Sequence, residues 1–284
     1  MRYDVTDCHD ISADRLRAAM NSAFSDYVVP LHLSDASFRD FQVQRGFSAA
    51  HSHVALADGE IAAFWFSGEP RANYGNRAYT LSVGTVPSYR RKGLAGRLLK
   101  ATRDSLGRAG ASGMQLEVIS TNTGAVETYA RFGFEHARRL RVCSVPRATS
   151  PPDMAANLTL HSIGLTDLPE ETTDFFDTDP TPQNSRAALA ALAPDIRLVS
   201  LRSDNELYGW AASYKDGAIA QIGVRKDARR QGLGRILLEA VAERVGLENL
   251  TFVNVDESAA SLNGFLDRMG AKTLLMQSEM RLSF

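Results

Sequence analysis

Apolar positions follow two rhythms along this chain, and each rhythm occurs twice. Short apolar runs at His53–Ala57 and Ile61–Phe66, parted by Asp58-Gly59, predict a hairpin of two strands. Tyr79–Val86 predicts a further strand, and Leu94, Leu98, Thr102 and Leu106 recur every fourth residue, as on one face of a helix. Met114–Ile119 predicts the next strand. A short helix follows, stopped by Gly133 in the position of a left-handed cap, and Arg139–Val145 predicts a last strand. The series then returns. Ile196–Leu201 and Leu207–Tyr214 flank a turn at Asp204-Asn205, and Ile219–Val224 predicts a strand. Leu233, Leu237 and Val241 mark a helix, Leu250–Val255 a strand, Gly270 a helix end, and Leu274–Leu282 a final strand. Ile11–Phe24 and Ser37–Arg45 read as helices ahead of the first hairpin.

The repetition extends to the residues themselves. VGTVPSYRRKGLAGRLL at Val83–Leu99 matches IGVRKDARRQGLGRILL at Ile222–Leu238. With Arg90 set on Arg229, Gly93 falls on Gly232, Leu94 on Leu233, and Leu98-Leu99 on Leu237-Leu238. Such a period is too long for a solenoid and equals a whole domain. A stretch rich in proline and small polar residues, Arg147–Asn157, reads as the linker. The expected organisation is a domain over residues 1–146, a linker over 147–157 and a second domain over 158–284. Each is of the α/β class, strands and helices interleaved around a mixed sheet of α+β character.

Composition narrows the function classes. With 284 residues, 44% hydrophobic and 23% charged, the chain is an ordinary globular protein of about two domains. No apolar run approaches the ~18 residues of a membrane helix, and Met1–Cys8 carries Arg2, Asp4 and Asp7 with no apolar run behind them, unlike a signal peptide. Cys8 and Cys143 are too few for a disulfide framework, and a reducing cytoplasmic setting suits them. His51 and His53 are spaced poorly for a metal, no HExxH occurs, and no metal site is expected. The two halves divide the charge: 18 basic and 14 acidic side chains (+4) in residues 1–146, 14 and 19 (−5) in the rest. Neither suggests a nucleic-acid surface, and no basic amphipathic helix suggests a membrane.

Strand, glycine turn and helix together make an anion site. The first turn of a helix leaves amide N–H groups unpaired, and the helix dipole adds partial positive charge there. Arg91, Lys92, Gly93, Leu94, Ala95 and Gly96 form such a turn in the first half; Arg230, Gly232, Gly234 and Arg235 form its counterpart. Neither fits a Walker A loop, and Leu237 stands where a dinucleotide-binding fingerprint needs its third glycine. One [QR]xxGx[GA] pattern is weak evidence; two in equivalent strand–turn–helix contexts are strong.

At these residues the chain resembles a tandem pair of domains from the GNAT superfamily of acetyl-CoA-dependent N-acetyltransferases. The motifs are VGTVPSYRRKGLAG with LEVISTNTGAVETYARFGF in the first half and IGVRKDARRQGLGR in the second. The resemblance implies that acetyl-CoA is the co-substrate. Its pyrophosphate would lie on the loop from Arg91 to Gly96, with Gly84, Thr85 and Val86 beside the pantetheine arm and Asn122 nearby. Val224, Arg230, Gly232, Gly234 and Arg235 would be the second set. It further implies that Tyr129, in NxxAxxxYxxxGF, protonates the departing thiolate. A phenol with a pKa near 10 keeps the needed proton.

The second half departs from the pattern: Leu266 replaces Tyr129 and Ala259 replaces Asn122. Phe265 and Tyr208 are its nearest aromatic alternatives. The expectation is a catalytic first half and a degenerate second half. Glu117 is the candidate general base, with Asp26, His32 and Glu69 as weaker ones. Phe24–Leu31, with Phe47, is the candidate acceptor wall. The expected activity is acetyl transfer to a primary amine, of a small molecule or a peptide, by direct attack in a ternary complex. A non-catalytic acyl-CoA sensor or scaffold and a protein with two active sites are the competing readings. The edge strand of either half leaves a homodimer open.

Overall fold

The computed structural model describes residues 2–27, 31–147, 157–169, 174–204 and 206–284. Most of the linker, Asn205 of the second hairpin turn and Val28–Pro30 of the acceptor wall lie outside them. The described chain divides into two compact units. The first comprises Met1–Val118, Thr123–Ala137 and Glu279–Phe284; the second comprises Ile119–Asn122 and Arg138–Ser278.

The first unit runs β1 (Asp4–Asp7), α1 (Ala13–Ala23), α2 (Asp35–Arg45), β2 (His53–Ala57), β3 (Glu60–Arg71), β4 (Arg77–Thr85), α3 (Leu94–Arg108), β5 (Gly113–Ile119) and α4 (Thr123–Arg131). Its strands are ordered β1-β2-β3-β4-β5. All neighbours are antiparallel except β4 and β5, which are parallel. Two apolar layers cover the sheet. Leu16, Met20 and Phe38 of α1 and α2 meet Phe64 and Phe66 on one face. Leu94, Leu98 and Leu106 of α3 meet Trp65 and Met114 on the other. Phe64, Trp65 and Phe66 are 0% exposed, each worth about 1.5–3 kcal/mol in burial. The leucine stripe read from sequence is therefore the inner face of α3. His51 and His53 bond α3 as well: their Nδ1 atoms lie 2.8 Å from Ser105 Oγ and 3.0 Å from Thr102 Oγ1.

The second unit contains most of β6 (Glu135–Pro146), then β7 (Thr159–Ser162), α5 (Arg186–Ala191), β8 (Arg197–Ser203), β9 (Glu206–Ser213), β10 (Ala218–Val224), α6 (Leu233–Val245), β11 (Asn249–Asp256), α7 (Ala260–Arg268) and the start of β12 (Lys272–Ser283). Its strand order is β6-β11-β10-β9-β8-β7, again with one parallel neighbour pair, β10 and β11. The end of β12 belongs to the first unit, where Phe284 N–H donates to Ser112 O at 3.0 Å. Strands β1 and β7 are four residues each and carry too little alternation to be seen in sequence. The helix expected over Ile11–Phe24 begins later, because Ser12 accepts from Arg15 N–H and so sets the N-terminus of α1. Gly133 and Gly270 follow α4 and α7 at φ +89° and +78°, the left-handed caps read from sequence.

Candidate active site

The two glycine turns share one backbone course. Arg91 and Arg230 have φ +62° and +67°, and two residues later Gly93 and Gly232 have φ +72° and +83°. Each glycine is the N-cap of a helix, α3 or α6, and supplies no side-chain cap. Helices α1, α2 and α5 differ: Ser12, Ser34 and Ser185 accept from their first turns. In α3 the first internal bond is Arg97 N–H to Gly93 O, 3.3 Å, so Leu94, Ala95 and Gly96 keep N–H groups with no acceptor among the described residues. In α6 the same holds for Leu233 and Gly234. A Cβ on Gly93 would meet nothing within 4 Å, so this end is open as well as uncapped. Converging bare N–H groups at a helix start suit a phosphate. The residues present therefore fit the pyrophosphate of CoA.

Beside each turn a pair of parallel strands comes apart. β4 and β5 are paired at Arg77–Gly113, Ala78–Met114 and Tyr79–Gln115, with no further registered pair. β10 and β11 are paired only at Ala218–Thr251 and Ile219–Phe252. Beyond those points β4 continues to Thr85 bonded to β3 alone, with Gly84, Thr85 and then Val86 leading into the turn. The free edge of β4 presents backbone donors and acceptors to any extended, amide-bearing chain laid beside it. Gly84 is required here by crowding: a Cβ would lie 2.4 Å from the Phe64 ring and 2.9 Å from Ala23.

An arginine–aspartate pair fixes each turn. Arg90 Nε donates to Thr85 O (3.3 Å), and its terminal nitrogens donate to Ala23 O (3.1 Å) and to both Asp26 oxygens (2.7 and 2.6 Å). Arg229 repeats this with Val224 O (3.2 Å), Phe175 O (2.7 Å) and Asp177 (2.7 Å). The hydrogen bond from Arg90 holds the Asp26 carboxyl below its usual pKa. Asp26 thus positions the turn and is a poor proton acceptor. The sequence carried a signal for these pairs, since Arg90 and Arg229 occupy one repeat position, but nothing local joins them to partners 64 and 52 residues away.

Tyr129 lies on α4, half-buried, with its ring edge-on to Trp65 (6.2 Å) and Phe134 (5.6 Å). Burial pushes its phenol pKa up, so the phenol keeps its proton near neutrality. Asn122 directly precedes α4. Glu117, on β5, faces away from Met114 and Leu116 and accepts a 2.5 Å hydrogen bond from Tyr79 OH. Burial and the Glu117 charge raise the Tyr79 pKa, so that proton stays on the phenol. The sequence carries no sign of this Tyr79–Glu117 contact, which depends on the pairing of β4 with β5. Glu69 is 3.0 Å from His51 Nε2 and accepts from Ser48 Oγ at 2.6 Å, while His32 is exposed. Phe24 packs edge-on to Tyr27 (5.1 Å) and Phe64 (6.3 Å), and Phe47 to Phe66 (5.6 Å).

The second unit carries an open pocket of about 600 Å³ lined by its turn, by β10 and β11 and by α7. Leu266 is 0% exposed and packs in the core; Phe265 lies against Gly234, 3.3 Å from where a Cβ would stand. Tyr208 lies under the Arg225 guanidinium, 4.3 Å from centroid to carbon. No helix among the described residues is long and apolar enough to cross a membrane.

Two solved structures share this architecture over nearly the whole chain. A tandem GNAT protein from the clavulanic acid biosynthesis pathway superposes with TM-score 0.73, 14% identity, 99% of this chain and 98% of that one. A GCN5-related N-acetyltransferase from Sphaerobacter thermophilus gives 0.72, 17%, 99% and 95%. Among curated proteins, the mycothiol acetyltransferase of Brachybacterium faecium is 30% identical over 118 residues. That match spans 41% of this chain and 36% of the relative. The model of the acetyltransferase (GNAT) family matches twice, over residues 16–134 and 164–271, well over half of the chain. The chain belongs to that family, as a tandem pair of GNAT domains.

Proposed function

We propose that the protein transfers an acetyl group from acetyl-CoA to a primary amine, of a small molecule or a peptide, and that the N-terminal unit carries the reaction. The observation that carries this reading is the uncapped start of α3 beside the separated β4 and β5, with Tyr129 on the adjoining helix α4. Acetyl-CoA, when bound, supplies the thioester. The N–H groups of Leu94, Ala95 and Gly96, with the charges of Arg91 and Lys92, hold its diphosphate. The free edge of β4 at Gly84–Val86 aligns the arm by backbone hydrogen bonds, and its N–H groups polarise the thioester carbonyl. Asn122 steadies the start of α4 beside it.

In the transfer the amine nitrogen bonds to the carbonyl carbon and the C–S bond breaks. The amine loses one proton and the sulfur gains one. Glu117, held in orientation by Tyr79, receives the first directly or through water. Tyr129 gives the second, and the raised pKa of its phenol keeps that proton in place until thiolate appears. Two free, buried cysteines, Cys8 and Cys143, are compatible with the cytoplasm, where acetyl-CoA is available.

The test is a coupled thiol-release assay with acetyl-CoA and a panel of small primary amines and N-terminal peptides. The reading expects amine-dependent thiol release that falls ~10²-fold in kcat for Tyr129→Phe. Unchanged kcat in that variant would move the acid elsewhere.

A further inference from the structure

At the base of the β3–β4 hairpin two arginines face each other. Arg71 and Arg77 are a registered antiparallel pair, so their side chains leave the same face of the sheet, with Cα atoms about 5 Å apart. Like charges placed directly opposite destabilise a strand pair unless an opposite charge lies between them. Nothing among the described residues supplies one. Both side chains are half-buried, and neither has an ion pair or a hydrogen bond among those residues. Arg77 Nε is buried and has no acceptor among them.

Two glycines make room for the pair. Gly46 ends α2 in the left-handed conformation, at φ +70°, and the Arg71 guanidinium fills the space where its Cβ would stand. A cation suits that helix end, which accounts in part for Arg71. It does not account for Arg77, whose Nη1 is 2.8 Å from where a Cβ of Gly75 would be.

The pair is in line with the candidate base. Tyr79 is two residues beyond Arg77 on β4 and shares its face, about 7 Å further along. Tyr79 pairs with Gln115, and Glu117, two residues beyond Gln115, accepts from the Tyr79 hydroxyl. Arg71, Arg77, Tyr79 and Glu117 therefore lie on one face of β3, β4 and β5, the face that α1 and α2 cover. Arg45, in the last turn of α2, already reaches the Tyr79 phenol and donates to Gln44 Oε1 at 3.2 Å. The guanidiniums left for a ligand are those of Arg71 and Arg77.

We propose that Arg71 and Arg77 bind an anionic group, carboxylate or phosphate, carried by the amine acceptor, and so select acidic amines for the N-terminal unit. Each guanidinium presents paired N–H donors that match two oxygens of such a group. The acceptor is then a primary amine with a negative charge at its far end, the nitrogen at Glu117 and the anion at the hairpin base. An acceptor with a second cation at that end is repelled. This deepens the reading of the N-terminal unit as an acetyltransferase and rests on it.

The experiment measures thiol release from acetyl-CoA with amines matched in chain length: alkylamines, ω-amino carboxylates, ω-aminoalkyl phosphates and α,ω-diamines. At least one anionic series should exceed the alkylamines in kcat/KM by about tenfold, and the diamines should fall below them. The series with the larger ratio identifies the anion. Arg71→Gln/Arg77→Gln should bring that ratio to about one. Arg77→Glu should turn the preference toward the diamines, an inversion that lost stability alone does not produce. A preference unchanged in both variants overturns the assignment to these arginines. A second readout needs no turnover: the Arg71 and Arg77 side-chain NMR signals should move on titration with an alkyl carboxylate or alkyl phosphate that has no amine. Equal thiol release from all series, with arginine signals that stay still, overturns the proposal and leaves the transferase reading standing. Moving arginine signals without thiol release from any amine keep the anion site and remove the transferase reading. Neither response overturns both.

Discussion

Asp177 joins the turn before α6 to the start of α7: one oxygen lies 2.7 Å from Arg229, and the other accepts from Ser261 and Leu262 N–H. The counterpart pair, Asp26 with Arg90, makes the same ion pair in the first unit. The side chains of Arg229 and Asp177 are 22% and 19% exposed, those of Arg90 and Asp26 42% and 53%. Capping a helix and pairing a half-buried arginine are worth more than an exposed ion pair. Asp177→Asn should therefore cost about 1–3 kcal/mol in denaturant unfolding. Asp26→Asn should leave the unfolding midpoint nearly unchanged. Equal losses in the two variants would contradict this difference.

Gly84 tests the crowding at the free edge of β4. In Gly84→Ala the new methyl must displace the Phe64 ring, which is stacked on Phe66 at 4.3 Å and cannot easily move. Thermal unfolding should show a loss of about 1–3 kcal/mol. Gly107→Ala, where a Cβ meets nothing within 4 Å inside helix α3, should be neutral or stabilising.

His53 gives the fold a pH dependence. Desolvation by burial lowers its pKa below the ordinary 6.5, against a smaller opposing effect of Asp7. The unfolded chain then binds the proton more readily than the folded one. The stabilising contribution is complete above pH 6.5 and is lost as pH falls from there through the folded value. Denaturation midpoints should decline over that window by at most one proton's slope. His53→Gln should flatten the decline, and an unchanged slope would assign the proton to another group.

Tyr79→Phe probes the support of Glu117. Removing the hydroxyl takes away one hydrogen bond to the carboxylate, 2.5 Å long. If Glu117 is the base, the acidic limb of the kcat profile should shift while KM for acetyl-CoA stays within about twofold. No shift in that limb would leave Glu117 a structural group.

The parts of the site legible in sequence are the local ones. A glycine turn, its flanking strand and the helix behind it lie within 17 residues, Val83–Leu99, and were readable twice because the chain repeats them. Tyr129 and Leu266 were comparable for the same reason. The separation of β4 from β5 was not readable, since it depends on where a parallel pairing stops and both strands look alike on either side of that point. Nor were the contacts of Asp177 or the Tyr79–Glu117 bond, each of which joins residues far apart in the chain. The compact units also cut across the repeat. Sequence ended the first domain at residue 146, whereas Arg138–Pro146 lies in the second unit and Glu279–Phe284 in the first.

The central claim is that the bare N–H groups at the start of α3 hold a diphosphate. Amide NMR of the labelled chain during titration with CoA, and separately with inorganic pyrophosphate, tests it most directly. The Gly93, Ala95 and Gly96 amide signals should move in both titrations and saturate together. CoA binding that leaves those three signals where they stand would contradict it.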